Sequence, residues 1–270
     1  MQGVVMSELV RLGVKAGIRG VGLRVLLMVA SLVLVVSLLA AGFSGRQPTT
    51  VALDVGLSGL RFAMLILVLL WVQDMFARDI ERKTVYFVLA YPITRWQYLL
   101  SRFVTVALLA LLALLVIGGL LWLSLQREVE YEQLRPVNLG GKYLLVMLSI
   151  WLDALVICSF ALFLASLSTT PFLPLLLGFA FGLAARGLGP AIGALHGARS
   201  DPLHASLFGP VLEYSYVWLP DLSRLDWRPL ALYDLPVPWA GLGLAVVNAL
   251  GFAGIMLGLA SLIFQRRNFT

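Results

Sequence analysis

The chain has 270 residues, of which 60% are hydrophobic and only 13% charged, and its formal net charge is +6. Soluble domains carry about 45–50% apolar and about 25% charged residues, so this composition excludes a protein that hides its apolar surface in one water-soluble core. The Lys and Arg residues flank apolar runs instead of gathering on a soluble face, which indicates contact with anionic lipid and not with nucleic acid.

Before the first apolar run, three basic residues recur every four positions. Arg11, Lys15 and Arg19 would form one stripe along a helix, which is favourable against anionic headgroups. We therefore predict an interfacial helix over residues 1–20. A frayed cytoplasmic tail is the alternative, because glycines weaken this helix.

Six apolar stretches are long enough to cross a bilayer, which takes about 20 helical residues. Lipid offers no partner to unpaired backbone groups, so each stretch should be an α-helix. The predicted fold is all-α, a single polytopic membrane domain over residues 1–270. Its six transmembrane helices are Val21–Phe43, Leu57–Met75, Phe103–Leu125, Tyr143–Leu167, Phe172–Ala194 and Ala240–Phe264.

The distribution of Lys and Arg predicts the orientation. Basic residues outnumber acids near both termini and between spans two and three, whereas acids outnumber basic residues in the other connections. Both termini should then be cytoplasmic, in a multi-pass protein of the cytoplasmic (inner) membrane.

The connection between spans two and three has the most distinctive pattern. Apolar residues from Ile80 to Tyr91 recur near helical spacing beside a charged side, which predicts a cytoplasmic helix that Pro92 ends. Thr94 and Gln97 form a capping-box pattern that starts a second helix, continuous with span three. A push on the first helix would be carried directly into the membrane.

This segment, residues 77–101, resembles the signature after the second helix of type-two ATP-binding-cassette (ABC) permeases, the six-helix membrane subunits of exporters. The shared order is Asp79-Ile80-Glu81-Arg82-Lys83-Thr84-Val85-Tyr86, then Leu89-Ala90-Tyr91-Pro92-Ile93-Thr94-Arg95. In that family the segment is a coupling helix that docks on a separate nucleotide-binding subunit. The resemblance implies that the residues transmitting ATPase motion are Asp79, Glu81, Arg82, Lys83, Thr84, Tyr91, Pro92, Thr94 and Arg95.

The resemblance also implies an assembly of two permease copies with two ATPase subunits. The chain has no Gly-x-x-x-x-Gly-Lys-Ser/Thr phosphate loop, so ATP and Mg would be bound by the partner ATPase. We expect no cofactor, metal or catalytic residue in this chain, and the eight-residue spacing of His196 and His204 does not suit a metal site. Gly254 and Gly258 form a Gly-x-x-x-Gly step that permits close helix contact.

Among the charged residues within the predicted spans, we single out three as intramembrane charges: Arg61, Asp153 and Arg186. Asp153 lies about 15 Å into span four, where a bare charge costs roughly 2.5–3.5 kcal/mol, so a partner is expected. If spans four and five turn at residues 169–170, Arg186 lies level with it, and we predict an ion pair that fixes this hairpin. A substrate or proton site at Asp153 is the alternative. Arg61, near the outer end of span two, is expected to extend outward, or else to line a path for an anionic headgroup.

Residues 189–238 hold seven of the twelve prolines together with Trp218 and Trp227. This region is too broken to span a membrane and too aromatic for a disordered linker. The pattern predicts short external helices before span six.

Taken with the resemblance, the sequence favours the permease subunit of an ATP-driven exporter with unspecified substrate. One alternative is a force transmitter that acts on an extracytoplasmic partner through residues 189–238. Another is a proton-coupled secondary transporter using Asp153, although the chain lacks the paired, interrupted helices common in such folds. A membrane-embedded enzyme is disfavoured, because no catalytic constellation is present.

Overall fold

The computed structural model describes residues 2–19, 21–77, 79, 94–126, 137–168, 170, 172–196 and 220–266. Within these ranges the chain is helical with no strand, and six helices are long and apolar enough to cross a membrane. The all-α, six-span prediction is therefore confirmed. The α-helices are α1 (Gln2–Arg19), α2 (Val21–Phe43), α3 (Pro48–Val72), α4 (Arg95–Gln126), α5 (Gly141–Leu167), α6 (Phe172–His196), α7 (Arg228–Leu232) and α8 (Trp239–Arg266).

The ends of the bundle are named here by the predicted orientation. The cytoplasmic end is where α3 finishes and α4 begins, and the outer end is where α2 finishes and α3 begins. The spans are α2, α3, α4, α5, α6 and α8, while α7 lies at the outer end.

Span two is longer than predicted at both ends. It begins at Pro48, a residue suited to the first helical position, and not at Leu57. Its first turns contain Thr49 and Thr50, which lowered the hydropathy of the stretch but are buried inside the protein. After Val72 the helix continues as a π-helical turn, Gln73–Ala77. Such turns are often found at functional sites.

The N-terminal helix α1 packs along α4 and is not a frayed tail. A Cβ atom added at Gly13 would lie 2.8 Å from Thr105 Cγ2, and one added at Gly17 would lie 2.5 Å from Leu109 Cδ1. The glycines expected to weaken this helix thus allow its close approach to α4. Its position on the inner leaflet stays a prediction.

The closest glycine-mediated contact between described spans joins α6 to α3. A Cβ atom added at Gly178 would lie 2.5 Å from Leu69 Cδ2, and one at Gly182 would lie 2.5 Å from Leu65 Cδ1. Both pairs are four residues apart, so two leucines of α3 fit over a Gly-x-x-x-Gly step of α6. By contrast, a Cβ added at Gly254 or Gly258 meets no atom of the described residues within 4 Å.

Replacing Gly182 with leucine is expected to destabilise the fold by about 1–3 kcal/mol, because the added carbons would push α6 away from Leu65. Thermal unfolding in mild detergent measures the effect. Gly258→Leu is the matched control, since a Cβ added there meets none of the described residues within 4 Å. Equal losses in the two variants would contradict this packing.

Residues 220–232 are called the outer segment. It consists of a 3₁₀ turn, Leu222–Leu225, followed by α7, in keeping with the short helices predicted before span six. The first residues of the predicted external region, 189–238, are helical, because α6 continues through Pro190 to His196. A Cβ added at Gly189 would overlap Ser223, so α6 packs directly on the 3₁₀ turn. Residues 197–219 lie outside the described chain.

Candidate functional site

Asp79, at the start of the predicted coupling segment, is held by two side chains of α4. Its Oδ2 accepts hydrogen bonds from Arg102 Nη2 at 2.6 Å and from Tyr98 Oη at 2.9 Å. The Arg102 guanidinium also lies 5.1 Å from the centre of the Tyr98 ring. Tyr98 and Arg102 are one turn apart, so both bind Asp79 from the same face of α4. The entry to the segment is thereby fixed to span three.

The start of α4, still within the predicted segment, is fixed to span six. Arg95 Nη1 donates hydrogen bonds to the carbonyl oxygens of Phe264 at 2.9 Å and of Gln265 at 3.0 Å. These carbonyls belong to the last turn of α8, where a cation is favourable to the helix dipole. A displacement of Arg95 would therefore act on the end of α8.

The predicted capping box at the start of α4 is confirmed. Gln97 N donates to Thr94 Oγ1 at 3.3 Å, and Thr94 N donates to Gln97 Oε1 at 3.1 Å. Each side chain satisfies a backbone donor of the other residue. The capping box gives α4 a defined beginning within the predicted coupling segment, residues 77–101.

Three buried aromatic rings join the cytoplasmic ends of three spans. Phe76 of the π turn lies 5.9 Å from Tyr98 and 5.7 Å from Phe264, and Tyr98 lies 6.0 Å from Phe264, measured between ring centres. All three side chains are almost fully buried. Aromatic pairs at these distances contribute about 0.5–1.5 kcal/mol beyond their burial. We call Phe76, Asp79, Arg95, Tyr98, Arg102 and Phe264 the cytoplasmic cluster.

Six predicted coupling residues lie outside the described residues: Glu81, Arg82, Lys83, Thr84, Tyr91 and Pro92. Their roles stay predictions. Of the nine residues that the resemblance implied, the structure places Asp79, Thr94 and Arg95. All three belong to contacts at the edges of the segment.

A second group of charges lies within the membrane-spanning bundle. Asp153 is 1% exposed, and its Oδ2 accepts a hydrogen bond from Arg186 Nε at 3.1 Å and another from Arg186 Nη2. The predicted contact between Asp153 and Arg186 is thus present. The pair ties α5 to α6. Arg61 Nε of α3 contributes a further hydrogen bond to the same oxygen at 3.3 Å.

The Arg61 side chain reaches the outer segment, but it is buried there and does not emerge to the membrane interface as expected. Its residue exposure is 7%, and its Nη2 donates to the carbonyl oxygen of Leu222 at 2.6 Å. The physical reason lies in the earlier start of α3. Counted from Pro48, Arg61 lies about 20 Å along the helix, so its charge is satisfied by protein groups and not by headgroups.

The charged contacts continue from Arg61 to the outer surface. Arg61 Nη1 lies 3.4 Å from Asp226 Oδ2, which Arg228 Nη2 contacts at 2.6 Å. Arg228 Nη1 then lies 3.1 Å from Oδ1 of Asp54, an exposed residue of α3. The outer ion-pair chain is defined as Arg186, Asp153, Arg61, Asp226, Arg228 and Asp54. It holds three acids and three bases, so its formal charge is zero.

Asp226 shows how an acid in the outer ion-pair chain is kept ionised. Burial on its own would raise the pKa of this carboxyl, but the hydrogen bond from Arg228 and the positive charges of Arg61 and Arg228 hold its pKa below the usual value. The carboxylate form is therefore maintained at neutral pH.

Asp54, Asp226 and Arg228 were missed from the sequence. Asp54 and Arg228 are 174 positions apart, and nothing in the spacing of residues relates them. Only the two-residue interval between Asp226 and Arg228 could have indicated one of these ion pairs from the local sequence. Within the described residues, no group of three or more His, Cys, Asp or Glu side chains could hold a metal ion.

Comparison with known proteins gives one family match. The model of a family described as ABC-2 family transporter protein matches residues 59–195, just over half of the chain. The matched region runs from α3 into α6, so it includes the predicted coupling segment together with Arg61, Asp153 and Arg186. No curated protein matches the chain.

Proposed function

The chain belongs to the ABC-2 family of transporter proteins, and we propose that, as the permease subunit of an ABC exporter, it receives the energy of ATP hydrolysis from a separate ATPase subunit. The segment between α3 and α4 would be the docking site. Glu81, Arg82, Lys83, Thr84, Tyr91 and Pro92 would contact the ATPase. Asp79, Thr94 and Arg95 would pass the displacement to the spans.

The observation that carries this proposal is the anchoring of the segment at both edges. Asp79 is bound to α4 through Tyr98 and Arg102, while Arg95 is bound to the end of α8. The Phe76 ring adds the end of α3 to the same cluster. A displacement of this segment would therefore act on spans two, three and six at the same time.

The proposed assembly contains two permease copies and two ATPase subunits, with ATP and Mg bound by the ATPase. It would lie in the inner membrane with both termini in the cytoplasm. α2 and α8 expose large apolar side chains, including Leu32, Val247 and Ile255. Such faces suit lipid or a second permease copy.

A second candidate function is force transmission to an extracytoplasmic partner. It is favoured by the outer segment, which is bound to the spans through Arg61 and Arg228. A proton-coupled transporter using Asp153 has less support, because that carboxylate already pairs with two arginines.

The proposal is tested by purifying the protein from its native membrane in mild detergent and identifying co-eluting chains by mass spectrometry. A stoichiometric chain carrying a phosphate-loop motif is expected. Elution of the intact protein without an ATPase would contradict the proposal. Flux assays on the reconstituted complex then distinguish transport from force transmission.

A further inference from the structure

We propose that the outer segment is a mechanical output element that moves with α3, and that Arg61 is the positioning residue that holds the two together. This inference rests on the proposed function, since ATP hydrolysis would supply the movement at the cytoplasmic end of α3. It adds a route by which that movement reaches the opposite face of the membrane.

Arg61 is the junction of three elements. From α3, its guanidinium contacts Asp153 of α5, the carbonyl oxygen of Leu222 in the 3₁₀ turn, and Asp226 just after that turn. A planar group with five donors can serve three such partners at fixed angles. Arg61 and Asp153 are buried, so water competes little for the contact between them.

A second attachment lies one to two turns nearer the outer surface. Arg228 contacts Asp54 at 3.1 Å and also donates a hydrogen bond to Ser58 Oγ. Asp54, Ser58 and Arg61 are spaced by four and three residues, so they lie on one face of α3. That face is therefore a continuous polar stripe directed at the outer segment.

The outer segment also packs tightly on other spans. Leu222, Leu225, Trp227, Leu230 and Ala231 are all buried. The Ala231 carbonyl oxygen accepts a hydrogen bond from Asn138 N at 2.9 Å, just before α5. With its apolar side buried and its polar groups bound, the segment has little freedom to shift independently of the spans.

The two ends of α3 are linked by an uninterrupted helical stretch. Residues 48–77 form one span of 30 residues, which extends about 45 Å. Phe76 at its cytoplasmic end belongs to the cytoplasmic cluster, and the Asp54–Ser58–Arg61 stripe lies in its outer half. A tilt or translation imposed near Phe76 would therefore be delivered to the outer segment.

The test is hydrogen–deuterium exchange on the purified complex with its ATPase, with and without ATP trapped by vanadate. In the wild-type complex, trapped nucleotide should change amide exchange in peptides from residues 220–232. In Arg61→Gln, that difference should be lost while the response of residues 77–101 remains. The variant is expected to fold, because Asp153 keeps Arg186 and Asp226 keeps Arg228.

Arg228→Gln, which leaves Asp226 paired with Arg61, is a second variant expected to weaken the response of the outer segment. Arg46→Gln, an exposed position before α3, is the control and should respond as wild type does. The inference is overturned if residues 220–232 show no nucleotide response while residues 77–101 do, or if Arg61→Gln responds as wild type. Failure of the ATPase to co-purify would instead contradict the proposed function.

Discussion

Replacing Asp153 with asparagine should destabilise the protein by about 3–5 kcal/mol, because the buried Arg61 and the partly buried Arg186 would lose their shared carboxylate. Asparagine has nearly the same shape, so the loss reports charge and not volume. The measurement is the midpoint of unfolding in mild detergent, together with the folded yield.

The double variant Asp153→Asn with Arg186→Gln separates charge balance from other effects. It removes one negative and one positive charge, so the outer ion-pair chain stays neutral, and it should be more stable than Asp153→Asn alone. A double-mutant cycle then gives the coupling energy of the pair. A structural ion pair would be refuted if the stability losses of Asp153→Asn and Arg186→Gln simply added in the double variant. It would also be refuted if Asp153→Asn were as stable as wild type.

Replacing Asp79 with alanine is expected to cost about 1.5–3 kcal/mol, the range for hydrogen bonds to charged groups. Arg102, whose side chain is 17% exposed, would lose its carboxylate, and Tyr98 would lose its acceptor. The entry of the coupling segment would then be released from α4. We also expect hydrolysis by the complex to respond less to the permease, as measured by phosphate release in nanodiscs.

Glu8→Ala is a suitable control for this variant. Glu8 forms an ion pair with Arg11 on α1, but both side chains are more than half exposed, and exposed pairs contribute about 0–1 kcal/mol. If Asp79→Ala and Glu8→Ala have the same small effect on stability and hydrolysis, Asp79 does not anchor the segment.

Local patterns predicted the parts of this fold that depend on nearby residues. The bounds of α2 match the predicted span, Val21–Phe43, and its C-terminal end is marked by the change from apolar residues to Ser44-Gly45-Arg46. The contact of Asp153 with Arg186 followed from equal distances to the turn between two antiparallel helices. The capping box at Thr94 and Gln97 likewise depends on residues three apart.

The wrong predictions concern residues whose environment is determined by contacts with distant parts of the chain. Hydropathy placed the start of span two at Leu57, since it treats the polar Thr49, Thr50 and Asp54 as unfavourable in a span. In the fold, the two threonines are buried and Asp54 pairs with Arg228. Because the depth of Arg61 was counted from Leu57, this residue was placed too close to the outer end of span two.

Glycine spacing was similarly ambiguous. Gly254 and Gly258 have the same spacing as Gly178 and Gly182, yet among the described residues only the second pair lies against a neighbouring span. Spacing identifies a face on which another helix can approach closely. Which helix occupies that face is decided by the packing of the whole bundle.

The docking of an ATPase on the segment between α3 and α4 is tested by one co-purification. The variant carries Glu81→Ala and Arg82→Ala, and the amount of ATPase recovered per permease is compared with wild type. The control carries Arg127→Ala and Glu128→Ala, an adjacent acid and base in the loop predicted to lie on the opposite side of the membrane. We expect the ATPase to be lost from the first variant and retained by the control. Stoichiometric recovery of the ATPase with the Glu81 and Arg82 variant would show that it docks elsewhere.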